Sequence, residues 1–165
     1  TFANWLKAGD TFTSAYQATQ DTLVQPAFVQ KAIAAYQKAE NLQPNNLETK
    51  IGLGVAYVSG TAEPMKGISL LLDVVKQEPN NVKANMNLGL FSMKSRQYDK
   101  AIKRFKVVTS QTSQPEAWFY LGMSYENMGM KPEAIAAYNK AKELAADPNL
   151  GQFVDRKVNE LKKVN

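Results

Sequence analysis

Residues 115–148 read PEAWFYLGMSYENMGMKPEAIAAYNKAKELAADP, and this stretch decides the fold. An α-helix turns roughly 100° per residue. Trp118, Leu121, Gly122 and Tyr125 therefore fall on one stripe of a first helix, and Ala134, Tyr138 and Ala141 on one stripe of a second. Gly129 and Pro132 supply the turn between the two helices, and Pro148 closes the second.

Laid back along the chain, the same pattern occurs three more times. The first copy shows Trp5, Ala8, Gly9 and Phe12, then Ala32, Tyr36, Ala39 and Pro44. Gly9 and Ala32 are 23 positions apart against 12 for Gly122 and Ala134, so this copy carries 11 extra residues. That is about three helical turns, which keeps a longer first helix in phase. The spacing predicts a helix from about Phe2 to Gln20, a break over Asp21 to Gln25, and Pro26 at the start of the next helix. The second copy has Lys50 in the Trp position, then Leu53, Gly54 and Tyr57, followed by Gly67, Leu71, Val74 and Pro79. The third has Asn85, Leu88, Gly89 and Ser92, followed by Ala101, Phe105 and Val108. Leu53, Leu88 and Leu121 are spaced by 35 and 33. Gly9, Gly54, Gly89 and Gly122 are expected to face Ala32, Gly67, Ala101 and Ala134, so that paired helices approach closely while aromatic and aliphatic side chains fill the gaps. Beyond Pro148 a last helix, expected over 149–164 and ending near Val164, carries Leu150, Val154, Val158 and Leu161 as its apolar stripe. It reads as the cap that a stack of repeats needs over its final apolar edge.

These residues resemble the tetratricopeptide repeat, whose pattern opens with Trp, two residues, Leu-Gly, two residues and Tyr, and recurs about every 34 positions. The resemblance implies an all-α chain: a right-handed α-solenoid of four helix-turn-helix repeats (2–44, 45–79, 80–114 and 115–148) plus a C-terminal capping helix, one array over 1–165. It implies a non-catalytic protein–protein interaction module, a scaffold or adaptor, that takes a peptide or an amphipathic helix in an apolar concave groove. In the family the groove residues stand one, five, eight and nine places after the opening large residue. Transferred here, they give Ile51 and Val55, Met86 and Leu90, Met93 and Lys94, Phe119 and Met123, and Glu126 and Asn127 as the expected contacts. Helix geometry supports the transfer, because Phe119, Met123, Glu126 and Met130 form a second stripe about 120° from the first. Family members that grip a terminal carboxylate use Asn where Val55, Leu90 and Met123 stand, so this trough suits an apolar helix face instead. The competing expectation is a trough filled by the long first helix, by other parts of a parent chain, or by a second copy.

Composition narrows the chemistry. The 165 residues are 44% hydrophobic, enough for a packed core. With no Cys and no His, the chain lacks thiolate chemistry, the usual proton shuttle and the commonest metal ligand; no cofactor or metal is expected. Asp147 with Asp155, and Asp99 with Glu133, have no spacing that would shift a carboxyl pKa, and Gly52-x-Gly54 falls within a helix instead of after a strand. The chain is not expected to be an enzyme. Its charge of +5 is concentrated in the third copy, at Lys94, Arg96, Lys100, Lys103, Arg104 and Lys106. That face is the alternative reading, a surface for nucleic acid or another polyanion, although no aromatic residues interleave with the charges to stack on bases. No apolar run approaches the roughly 18 residues of a membrane span. The chain starts at Thr1 without Met or a charged leader, so we expect a piece of a longer, exported or membrane-anchored protein, and the compartment stays open.

Overall fold

The computed structural model describes residues 1–163. The chain divides into two compact units, Thr1–Pro79 and the residues from Asn80 onward. The first holds α1 (Phe2–Ala18), α2 (Gln25–Leu42), α3 (Leu47–Gly60) and α4 (Pro64–Gln77). The second holds α5 (Val82–Lys94), α6 (Tyr98–Gln111), α7 (Pro115–Asn127), α8 (Lys131–Leu144) and α9 (Pro148–Lys163). The architecture is all-α, with successive helix pairs packing on one another within each unit, as the repeat pattern predicts. The expected end of the last helix near Val164 lies outside the described residues.

Local chemistry sets the boundaries. The side chains of Thr1, Asn46 and Asn81 each accept a hydrogen bond from a first-turn amide of α1, α3 and α5, satisfying donors that have no partner inside the helix. Proline opens α2, α4, α7 and α8, where its missing N–H costs nothing. α1 stops at Ala18, two residues short of the expected Gln20, because Thr19 takes an extended backbone (φ −84°, ψ 138°). Its hydroxyl then accepts from the Asp21 amide at 3.2 Å. Gly129 adopts φ 73° in the α7–α8 turn, and Arg96 takes φ 60° at the matching place between α5 and α6.

The first unit is built around Tyr36, which is 1% exposed among Val29, Ala32, Ile33, Leu53, Ala56 and Tyr57. Its ring lies between Gly9 of α1 and Gly52 of α3, so close that a Cβ at either position would overlap it. Its hydroxyl donates to Asp10 Oδ1 at 2.9 Å and lies 3.2 Å from Thr13 Oγ1. Lys50, in the Trp position, is ion-paired with Asp73 of α4, and the ammonium holds that carboxyl below the usual carboxylate range.

The glycine positions show which large side chains fill the gaps between paired helices. Gly9, Gly89 and Gly122 admit the aromatic residue one turn beyond the small one: Tyr36, Phe105 and Tyr138. Gly54 meets Leu71, and there the expected partner also comes close, with the Gly67 carbonyl oxygen 3.1 Å from where a Cβ would sit. Each missing Cβ is thus a seat for a large buried side chain. Gly52, whose place inside a helix marks it as a packing position, is a second seat for Tyr36.

The second unit has two linked cores. Ala101, Phe105, Leu121 and Ala137 are buried between α6, α7 and α8. Ala134, Tyr138, Val154 and Val158 are buried between α8 and α9, with Leu150 and Leu161 packed against them. The apolar stripe expected for the last helix is therefore the one that covers α8.

Candidate interaction face

The expected contacts lie on the first helices of the pairs: α3 in the first unit, α5 and α7 in the second. On α3, Ile51 is 5% exposed and belongs to the interior, so it offers no area to a partner. Val55 is half-buried and lines a void of about 10 Å³ with Thr13 and Tyr16 of α1. The Tyr16 hydroxyl donates to the Ser59 carbonyl at 2.6 Å, drawing α1 onto α3. In this unit the long first helix covers much of the face that the repeat pattern assigned to a ligand.

On α5, Met86, Leu90 and Met93 are half-buried against the core of Ala101, Phe105, Leu121 and Ala137, with part of each side chain still at the surface. On α7, Phe119 and Met123 are half-buried against Ala134, Tyr138, Val154 and Val158. Leu90 and Met123 therefore contribute to packing, which a purely off-core stripe would not do. Lys94 and Asn127, the last residues of α5 and α7, are exposed, and the Asn127 amide donates to the Met123 carbonyl at 2.8 Å.

Glu126 has a structural occupation. It accepts from the Tyr138 hydroxyl at 2.5 Å through Oε2 and from Lys157 at 3.0 Å through Oε1. Burial first, and the neighbouring carboxylate second, push the Tyr138 phenol well above its ordinary 10.0.

An aromatic series that sequence reasoning missed runs beside these residues. Tyr120 stacks on Phe105 with ring centroids 5.7 Å apart and meets Phe119 at 6.0 Å. Phe119 in turn meets Tyr138 and Phe153 of α9, each at 5.6 Å. The signal available was Tyr120 itself, a second aromatic next to Phe119 on the edge between the two stripes.

The basic residues of the third pair are not all free. Arg104 donates to Oδ1 of Asn85, a fully buried amide in the Trp position, at 3.2 Å. Lys100 bonds the Gln97 side chain. Lys94, Arg96, Lys103 and Lys106 are exposed. Among the described residues no cluster of three or more acidic side chains is placed to hold a metal ion, and no helix is long and apolar enough to cross a membrane.

Helix pairs that close on a large side chain seated over a glycine, with half-buried apolar residues along their first helices, pack in the manner of tetratricopeptide repeats. Comparison with known proteins agrees. The sequence model of the tetratricopeptide repeat matches residues 115–148, so the chain carries that repeat where its pattern is clearest. The BBSome complex member BBS4 of Bos taurus is 28% identical over 116 residues, covering 70% of this chain and 22% of that protein. The chain thus spans about a fifth of the length of this curated relative. Among solved structures, a crystal structure of MamA is 28% identical with a TM-score of 0.63, covering 72% of this chain and 69% of that one. A second, MamA AMB-1, is 26% identical with a TM-score of 0.71 and covers 92% and 83%.

Proposed function

We propose that this chain is a non-catalytic scaffold that holds a partner protein along the first helices of its second unit, taking one face of an amphipathic helix or an apolar peptide. The observation that carries the reading is the half-buried strip of Met86, Leu90 and Met93 on α5 and Phe119 and Met123 on α7. Each of these side chains anchors in the core by one edge and keeps the other at the surface, which holds it ready at little entropic cost. Three of the five are methionines, whose unbranched thioethers adapt to irregular apolar partners. Exposed Lys94 and Asn127 at the ends of the two helices would form the polar rim. On α3, Ile51 and Val55 would act by supporting the fold, as would Glu126 on α7. That BBS4 is named as a member of a complex agrees with an assembly role here. The test is a pair of exposed substitutions, Lys94→Glu and Asn127→Arg, assayed against the partner recovered by cross-linking. Weakened binding with an unchanged melting temperature supports the face; unchanged binding removes it.

A further inference from the structure

In the second unit, helices α6, α7 and α8 frame a cleft of about 530 Å³. Trp118, Leu121 and Tyr125 form its floor, Lys106 stands on the α6 wall, and Ala136 and Ala137 open the α8 wall. The matching place in the first unit, over α3 between α2 and α4, is occupied by the chain's own side chains. There Leu70 packs into the core at the position of Ala137, and the Lys50–Asp73 ion pair fills the positions of Trp118 and Lys140. Lys66 lies 4.2 Å over the Tyr57 ring and donates to its hydroxyl at 2.8 Å, where the second unit has Glu133 near Tyr125. The same helix arrangement is thus filled in one unit and left open over an aromatic floor in the other.

A counterpart to this cleft lies in the turn between α1 and α2. Leu23 is 88% exposed, more than any other large apolar residue among those described, and Val24 beside it is 38% exposed. Two side-chain hydrogen bonds hold the turn: Asp21 Oδ1 accepts from the Leu23 amide at 2.9 Å, and the Gln25 side chain donates to the Thr19 carbonyl at 3.1 Å. An apolar knob held out beside a carboxylate complements an apolar cleft whose rim carries two lysines, Lys106 and Lys140, against one acid, Glu133. Lys140 is already bonded to Glu143, whereas Lys106 is exposed and in no ion pair among the described residues.

We propose that Leu23 and Val24 of one copy seat in the α6–α7–α8 cleft of a second copy, with Asp21 against Lys106. Because the knob and the cleft are different surfaces of one chain, the contact is heterologous, and copies joined by it either extend in series or close into a ring. It uses none of the residues assigned to the partner face on α5 and α7, so the two proposals stand or fall separately.

Sedimentation velocity over a concentration series tests it with Leu23→Lys, which removes the knob, and Ala136→Trp, which fills the cleft from an exposed helical position. The wild-type chain should grow in mass with concentration, and each variant alone should associate at least roughly tenfold more weakly, the loss expected for one buried leucine. The equimolar mixture is decisive. It should restore association but stop at one-to-one pairs, since only one intact cleft and one intact knob remain. Circular dichroism checks that both variants fold, and Lys106→Glu replaces Ala136→Trp if the latter does not. A wild-type chain that stays monomeric to about 1 mM, variants that associate like wild type, or a mixture that fails to pair would each overturn the proposal.

Discussion

Tyr138 of α8 donates its hydroxyl hydrogen to Glu126 of α7, and the other oxygen of that carboxylate accepts from Lys157 of α9. One side chain therefore ties three helices, and its removal leaves the hydroxyl of a fully buried tyrosine without an acceptor. Glu126→Ala should cost about 1–3 kcal/mol, the range for stranding a buried polar group. Glu126→Gln should cost less, since its amide oxygen can still accept from Tyr138. Urea midpoints with an unchanged m-value check the order; equal midpoints for all three proteins would contradict it.

Tyr36 and Tyr138 predict the alkaline behaviour. Burial raises both phenols far above their ordinary 10.0, with nearby carboxylates of Asp10 and Glu126 adding to the shift. Above about pH 10 the unfolded chain loses these protons while the folded chain keeps them, so the unfolded state binds fewer protons and stability falls as pH rises. It is fully present below that pH. Tyr138→Phe should lower stability at neutral pH but flatten the decline above pH 10, as read from melts between pH 8 and 11. An unchanged alkaline slope would mean that the phenol ionises in the folded state.

Two glycines should respond to alanine with opposite signs. A Cβ at Gly122 would lie 2.8 Å from the Tyr138 ring, which is fully buried and has nowhere to move. Overpacking of about 1–3 kcal/mol should outweigh the ~1 kcal/mol gain in helix propensity, so Gly122→Ala destabilises. At Gly151 the nearest atom is the Lys142 side chain at 3.7 Å, ordinary contact with a flexible group. Gly151→Ala should therefore stabilise by up to about 1 kcal/mol. Thermal melts of the two variants decide it, and a stabilised Gly122→Ala would contradict the ring-seat packing.

These contrasts show what was readable from the sequence alone. Helix positions and repeat phase were legible because Gly9, Gly54, Gly89 and Gly122 recur in all four copies, with Leu53, Leu88 and Leu121 beside the last three, and helical periodicity is a local property. Which side chain each glycine admits was not, because that side chain sits on another helix: aromatic filling of the gaps could be expected, but not that Tyr138 is the ring seated on Gly122. The expected contacts suffered in the same way. A stripe calculation places Leu90 and Met123 off the core of their own helix, but it knows nothing of the neighbouring cores they pack against, that of Phe105 and Leu121 for Leu90 and that of Tyr138 and Val154 for Met123. Leu90→Glu with Met123→Glu should accordingly cost well over the roughly 0.5 kcal/mol of an ordinary surface change. The Lys50–Asp73 pair escaped for want of any local pattern joining the two residues.

Truncation before Pro148 should uncover Tyr138 and the neighbouring Ile135, Phe119 and Met123, all of which meet α9 or its core. The shortened chain should melt lower and associate through the bared apolar surface. A truncated chain that stays monomeric at the original melting temperature would show that α9 is not a cap.

The central claim, that a partner lies along α5 and α7, is tested most directly by photo-cross-linking from defined positions. A photoreactive residue is placed at Lys94 or Asn127, and for comparison at Lys103, which is exposed on α6. Cross-linked peptides are then mapped at low and high salt. The account predicts adducts from Lys94 and Asn127 that converge on one apolar or amphipathic segment of a partner and persist in high salt. Adducts confined to Lys103, or lost as salt rises, would contradict it and return the chain to its basic face.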